Sequence, residues 1–183
     1  TFTTLGTVAH ITLNNGSTAI SLAAFTTEGN LTLTTTAAIA LAGHTVNGIL
    51  TVTSGDAITQ TAALTVTGTS SFTTSVTNKV ITLSTTTNAF TGAVTFTTVA
   101  GGSSHVTFDN GTTALTLGVS AIYGNLSVTC GNTIAQSGAL TVSGTSVFYT
   151  DLANYAITLS TTTNALTGAV TFTTVAGGSS HVT

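Results

Sequence analysis

The sequence predicts an all-β fold: a right-handed parallel β-helix (β-solenoid) whose rungs of about 19–25 residues each carry three short strands. Three observations lead there. Residues 77–107 recur at 153–183, matching at 27 of 31 positions with a lag of 76. Upstream the lag becomes 95, where HITLNNGSTAISL from His10 matches HVTFDNGTTALTL from His105, so one copy carries 19 additional residues. Within every copy, apolar side chains alternate with Thr at period two, the spacing that puts alternate residues on opposite faces of a strand.

The 19-residue difference is visible as a unit. LTLTTTAAIALAGHTVNGI (31–49) aligns without gaps on LTVTSGDAITQTAALTVTG (50–68). A block gained or lost whole, without disturbing its neighbours, is the behaviour of a stack in which each repeat touches only the next. Three strands fit such a unit: LTVT, AITQ and ALTVT, separated by SGD, GN, NG and GG turns that favour tight reversals. Residues 1–183 are therefore expected to form one repetitive segment with a 76-residue repeat and an extra rung at 31–49, as a fragment of a longer repetitive chain. The longer units 69–92 and 93–124 are expected to be rungs carrying NAFTG and VAGGSSH as loops, which favours three looped rungs in each 76-residue repeat over the alternative of four plain ones.

The expected core follows from the alternation. Inward ladders should stack Leu31, Leu50 and Leu126; Leu33, Val52 and Val128; Ile58 and Ile134; Leu64 and Leu140; Ile81 and Ile157; and Val94, Phe96, Val170 and Phe172. Each buried Leu, Ile or Phe contributes about 1.5–3 kcal/mol. Thr fills the outer face because its β-branched side chain suits an exposed strand.

Composition restricts function. Thr occupies 49 of 183 positions, and the only charged residues are Glu28, Asp56, Lys79, Asp109 and Asp151. One cation in a chain of net charge −3 leaves no phosphate-neutralising surface, so nucleic acid is not an expected partner. No apolar run approaches the ~18 residues of a spanning helix, and residue 1 opens with no signal-peptide pattern.

Each charge has a neutral counterpart in another copy: Asp56 and Asn132, Lys79 and Tyr155, Asp151 and Ser75, Asp109 and Asn14, Glu28 and Tyr123. The repeated scaffold thus needs none of them, and no carboxylate pair is placed for acid–base work. His10, His105 and His181 are repeat equivalents at least three rungs, ~14 Å, apart. That exceeds any shared zinc site, and all are expected as exposed turn residues, with His44 standing alone. No catalytic, cofactor-binding or metal-binding residue is assigned, and the chain is not expected to be an enzyme. Cys130 continues the inward phase of Leu126 and Val128 opposite Ser54 and Thr35, as a small residue at a strand end. Asn15, Asn30, Asn110 and Asn125 match the N-glycosylation sequon, which acts only in a suitable secretory pathway.

The phrases GILTVTSGDAITQTAALTVTGTS (48–70), GNLSVTCGNTIAQSGALTVSGTS (124–146) and AITLSTTTNALTGAVTFTT (156–174) resemble the repeats of filamentous-haemagglutinin-like bacterial adhesins. The resemblance covers essentially the whole chain. It implies a parallel β-helical shaft, exported through a partner β-barrel to the outside of the cell, without a binding motif of its own. The expected role is a structural segment of an extracellular fibre or adhesin shaft, associating with itself or continuing in the same chain. Its contact with a host or cell surface is expected through other regions. The alternative is an ice-binding β-solenoid that uses outward Thr arrays such as Thr32/Thr34, Thr51/Thr53 and Thr65/Thr67. Against it, Ser127 and Ser143 interrupt the array at equivalent positions, and Thr appears on every strand.

Overall fold

The computed structural model describes residues 9–183, and those residues form a β-solenoid of about eight turns with no helix. Each turn visits three walls in succession. Turn 1 holds β1 (Ile11–Asn14), β2 (Ile20–Ser21) and β3 (Thr26–Thr27); turn 2 holds β4 (Leu31–Thr35), β5 (Ile39–Leu41) and β6 (Thr45–Val46). Turn 3 holds β7 (Leu50–Ser54), β8 (Ile58–Gln60) and β9 (Thr65–Val66); turn 4 holds β10 (Ser70–Thr77), β11 (Ile81–Leu83) and β12 (Ala89–Phe90). Turn 5 comprises β13 (Val94–Val99), β14 (Val106–Asp109) and β15 (Leu115–Leu117). Turn 6 comprises β16 (Ser120–Ile122), β17 (Leu126–Cys130) and β18 (Ile134–Gln136). The last two turns contain β19 (Leu140–Val142) and β20 (Ser146–Ala153), then β21 (Ala165–Leu166) and β22 (Val170–Val175), with single bridges at Ile157 and Val182.

All pairings are parallel, and they join each turn to the next except that the end of β15 reaches β13 at the start of its own turn, Leu117 pairing with Val94. The first wall runs β1-β4-β7-β10-β13-β16-β19-β21 and the second β2-β5-β8-β11-β14-β17-β20-β22. The third is a separate sheet, β3-β6-β9-β12, that ends at β12; beyond it the third position of each turn is taken by β15, β18, Ile157 and Val182, which join the first-wall sheet through β13. On the first wall, Ile11, Leu31, Leu50, Ser70 and Val94 are register partners 20, 19, 20 and 24 residues apart. The extra unit 31–49 is thus one complete turn. Its gapless alignment on 50–68 holds through Ile39 and Ile58, then slips by one residue, since Thr45 pairs with Thr65.

The number of turns per repeat differs from the expected three. Leu50–Ser54 lies on the first wall, but its 76-residue counterpart Leu126–Cys130 lies on the second. Likewise Thr65–Val66 lies on the third wall and its counterpart, within Leu140–Val142, on the first. From β7 to β17 is ten strands, and with three walls this makes three and a third turns per repeat. Unit 93–124 is therefore not one looped rung, because it spans β13 to β16. NAFTG is not a loop either: Ala89–Phe90 is a third-wall strand and Phe90 is fully buried. VAGGSSH does form the connection between β13 and β14.

The bore is the core. Leu31, Leu50, Leu64, Ile58, Ile81, Leu126, Ile134, Leu140 and Ile157 are all buried, as the alternation requires. The expected ladders break between copies, however. Leu50 stacks between Leu31 and Ser70, whereas Leu126 stacks between Val106 and Ser146 on another wall. Val170 and Phe172 were expected in the core but are 37% and 40% exposed, because they lie on the last turn with no further turn above them. In turns 4 and 5, Phe72 stacks on Phe96 at 5.9 Å, while Phe90 and Phe96 each meet Phe108 edge-on at 5.3 Å. These aromatic contacts add to the burial of large apolar area.

At the corner before the first wall, Gly29, Gly48, Gly68 and Gly92 stack in a column. A Cβ on Gly68 would collide with the Gly48 carbonyl, and one on Gly92 with the Gly68 carbonyl. Close backbone approach, not unusual φ, requires glycine here.

Candidate functional site

The polar residues divide into those that hold the corners and those that face outward. His10 and His105 do the former: each Nδ1 accepts a backbone N–H from the next turn, of Asn30 and Asn125 respectively, at 2.9 Å. Asn30 and Asn125 in turn accept the N–H of Ile49 and Thr145 through Oδ1, so each corner is stitched across three turns. His10 and His181 are exposed. His44 departs from the expected exposed turn residue, being only 1% exposed, with its ring 4.5 Å from that of Phe25. Among the described residues no group of three His, Cys, Asp or Glu side chains is gathered as for a metal ion.

The charged residues are scattered. Lys79 Nζ lies 2.9 Å from Asp56 Oδ1, bridging turns 4 and 3 at the surface, and lowers the Asp56 pKa. Glu28 accepts from Asn47 Nδ2 at 2.8 Å. Asp109 is nearly buried; its Oδ1 accepts the Gly111 N–H at 2.7 Å, and burial raises its pKa. Its counterpart Asn14 accepts the Gly16 N–H at 3.0 Å in the same way. The carboxylate thus does the turn-forming work of an amide oxygen.

Cys130 ends β17 fully buried, with Sγ 3.1 Å from the Thr113 carbonyl. Burial pushes its thiol up to about 11. Its counterparts behave alike: Ser54 Oγ donates to Ala37 O at 2.7 Å, and Thr35 Oγ1 to Thr18 O at 2.8 Å. Of the sequon residues, Asn110 is wholly buried, which closes it to modification in the folded chain; Asn125 is exposed, and Asn15 and Asn30 are partly so.

Sequence reasoning missed the amides that bond between turns, of which Asn88 and Asn110 are buried and Gln60, Gln136 and Asn164 partly so. Asn88 and Gln60 pair reciprocally, at 2.8 and 2.9 Å, and Asn88 Oδ1 also accepts the Leu64 N–H at 2.9 Å. Asn164, Gln136 and Leu140 repeat the arrangement. The signal available was the identical STTTNA at both places. Asn110 has a different task. Where the third-wall sheet ends at β12, its Oδ1 accepts the Phe90 N–H at 2.8 Å and its Nδ2 donates to Phe90 O at 3.1 Å. One side-chain amide replaces the next strand at the point where the walls exchange roles.

Among the described residues, the first wall carries an ordered outward surface. On the first wall, Thr12, Thr32, Thr51, Ser71 and Thr95 form one column, and Asn14, Thr34, Thr53, Thr73 and Thr97 a second. Neither column carries a charge. Spacings are ~4.8 Å between turns and ~6.8 Å along a strand. Ser127 does not interrupt this lattice, since it lies on the second wall between Thr107 and Val147. The second and third walls of turns 1 to 4 have strands of two or three residues and display no such double column. An open groove lined by Leu159, Leu166, Phe172 and Val182 is the uncovered end of the bore.

Comparison with known proteins agrees with this repetitive build. No curated protein and no solved structure matches the chain significantly. The family described as "Repeats of unknown function (DUF5649)" matches residues 28–97 and again 101–173, and with most of its length covered the chain belongs to that family of repeats.

Proposed function

We propose that this chain is a structural, non-catalytic segment of a bacterial extracellular fibre or adhesin shaft, projecting a tip or building a surface filament. The observation that carries the reading is the stack of the first and second walls, whose strand pairing runs unbroken through both copies of the repeat although each wall changes its sequence type between them. A filament needs that property, because length can then be added without a break in the core. The resemblance of 48–70 and 124–146 to adhesin shaft repeats supports the extracellular setting, and the nearly uncharged flank favours lateral self-association. Antibody against the segment should label intact producing cells. Labelling only after permeabilisation would overturn the extracellular assignment. Electron microscopy of tandem arrays of the repeat should show rods that lengthen by ~16 Å per added repeat.

A second reading is favoured by one observation, the double Thr column on the first wall. Regularly spaced hydroxyl and methyl groups on a flat, uncharged sheet can hold an ordered water layer, so this wall is a candidate ice-binding face. Thermal hysteresis and faceted ice crystals that vanish in Thr53→Lys are the expected results. Absence of both at high concentration removes the reading.

A further inference from the structure

The residue least at ease in the bore is His44. It occupies an inward position on the third wall, just before β6. Phe25 holds the same place one turn below and Leu64 the same place one turn above, as the bonds Thr45 N–H to Phe25 O (2.9 Å) and Thr65 N–H to His44 O (3.0 Å) establish. Both neighbours are apolar, whereas both nitrogens of the His44 ring are buried with no hydrogen-bond partner. Leaving a buried polar group unpaired is costly, and charging it in that position is costlier still.

No acid is placed to compensate the charge. β3 and β9, which flank β6, contain only Thr and Val, and residues 1–8 carry no ionisable side chain. Glu28 is the nearest acid along the chain, and its carboxylate is engaged outside the bore by Asn47. His10 is exposed and bonded to Asn30; Asp56 is paired with Lys79 beside the second wall. The strands around His44 are also among the shortest of the described residues, two residues each in β3, β6 and β9, so few bonds resist an outward movement.

We propose that His44 is an acid-sensitive latch: neutral, it closes the third wall of turns 1 to 3, and on protonation it leaves the bore and opens that wall locally. Burial lowers the folded pKa of His44 below 6.5. Stability tied to the neutral ring is therefore complete above pH 6.5 and is lost as pH falls from there toward the folded value. Opening also bares strand edges, which pair readily with other chains.

Hydrogen exchange of the intact chain, corrected for intrinsic rate, provides the test. Between pH 7.5 and 5, amides of 42–66 should open progressively more, approaching the limit of about tenfold per pH unit set by one proton. Amides of 126–150, which contain no histidine, should not follow. In His44→Leu, which installs the residue found one turn above, the acid response of 42–66 should disappear. Parallel loss in both segments, or an acid response that persists in His44→Leu, overturns the proposal. Should that variant fail to fold, the ring titration of the unaltered protein by NMR decides: a midpoint for His44 at or above 6.5 in the folded state overturns it equally.

Discussion

Asn110 and Asn15 are the same residue of the repeat, yet they have different tasks: the Asn110 side chain is buried and bonds to the turn below, and that of Asn15 bonds within its own turn. Asn110 replaces a strand for Phe90, so Asn110→Ala leaves a buried N–H and a buried carbonyl unpaired. That should cost about 2–4 kcal/mol. Asn15 is bonded to the carbonyls of Thr18 and Ala19 at an exposed turn, and Asn15→Ala should cost less than about 1 kcal/mol. Denaturant melts of the two variants make the comparison, and equal losses would mean that Asn110 is not the cap described. Cys130 offers a second check at this scale. With its thiol pushed up to about 11 from 9.0, thiolate is scarce at neutral pH. Alkylation of the folded chain should run about 100-fold slower than of the unfolded chain. Cys130→Ser should fold normally, since Ser54 fills the equivalent place.

Among the elements, the turn 31–49 is the natural unit of gain and loss. Its removal brings Ile11 beneath Leu50, a pairing of the same kind as Leu31 with Leu50, and joins like corners. The shortened chain should fold and melt cooperatively. Removing only 31–40 takes away β4 and most of β5, throws the following strands onto the wrong walls, and should give a chain without a cooperative transition by circular dichroism. Corner spacing is equally strict. Gly68→Ala places a methyl against the Gly48 carbonyl and should cost about 1–3 kcal/mol, because a stacked backbone on both sides leaves no room to yield.

For the whole molecule, the third of a turn left over in each repeat is the decisive quantity. It advances every repeat-encoded feature by one wall, so a long array winds its surface chemistry around the axis and returns to the starting wall after three copies. Disulfide trapping in a Cys130→Ser background can verify the advance. Thr82→Cys with Thr107→Cys should cross-link, because β11 and β14 are neighbours on the second wall. Thr95→Cys with Thr107→Cys should not, although a repeat of whole turns would make those two the neighbours. Stacked parallel turns should also give fibres with a meridional spacing near ~4.8 Å.

The alternation of Leu, Val, Ile and Phe with Thr determined, by itself, which side chains enter the bore, because period two is a local property of any strand. The block of 19 residues likewise implied a stack of complete turns. Neither could say which wall a strand occupies. Leu50 and Leu126 have the same local sequence and the same burial, and their difference lies only in what precedes them around the axis. The change of wall arises where β13 is followed directly by β14, two strands of one sequence type on adjacent walls. It is stabilised by a side chain, Asn110, that bonds to a residue 20 positions away. The latch at His44 was hidden for the same reason. Its burial follows from Phe25 below and Leu64 above, contacts between turns that no single stretch of sequence contains.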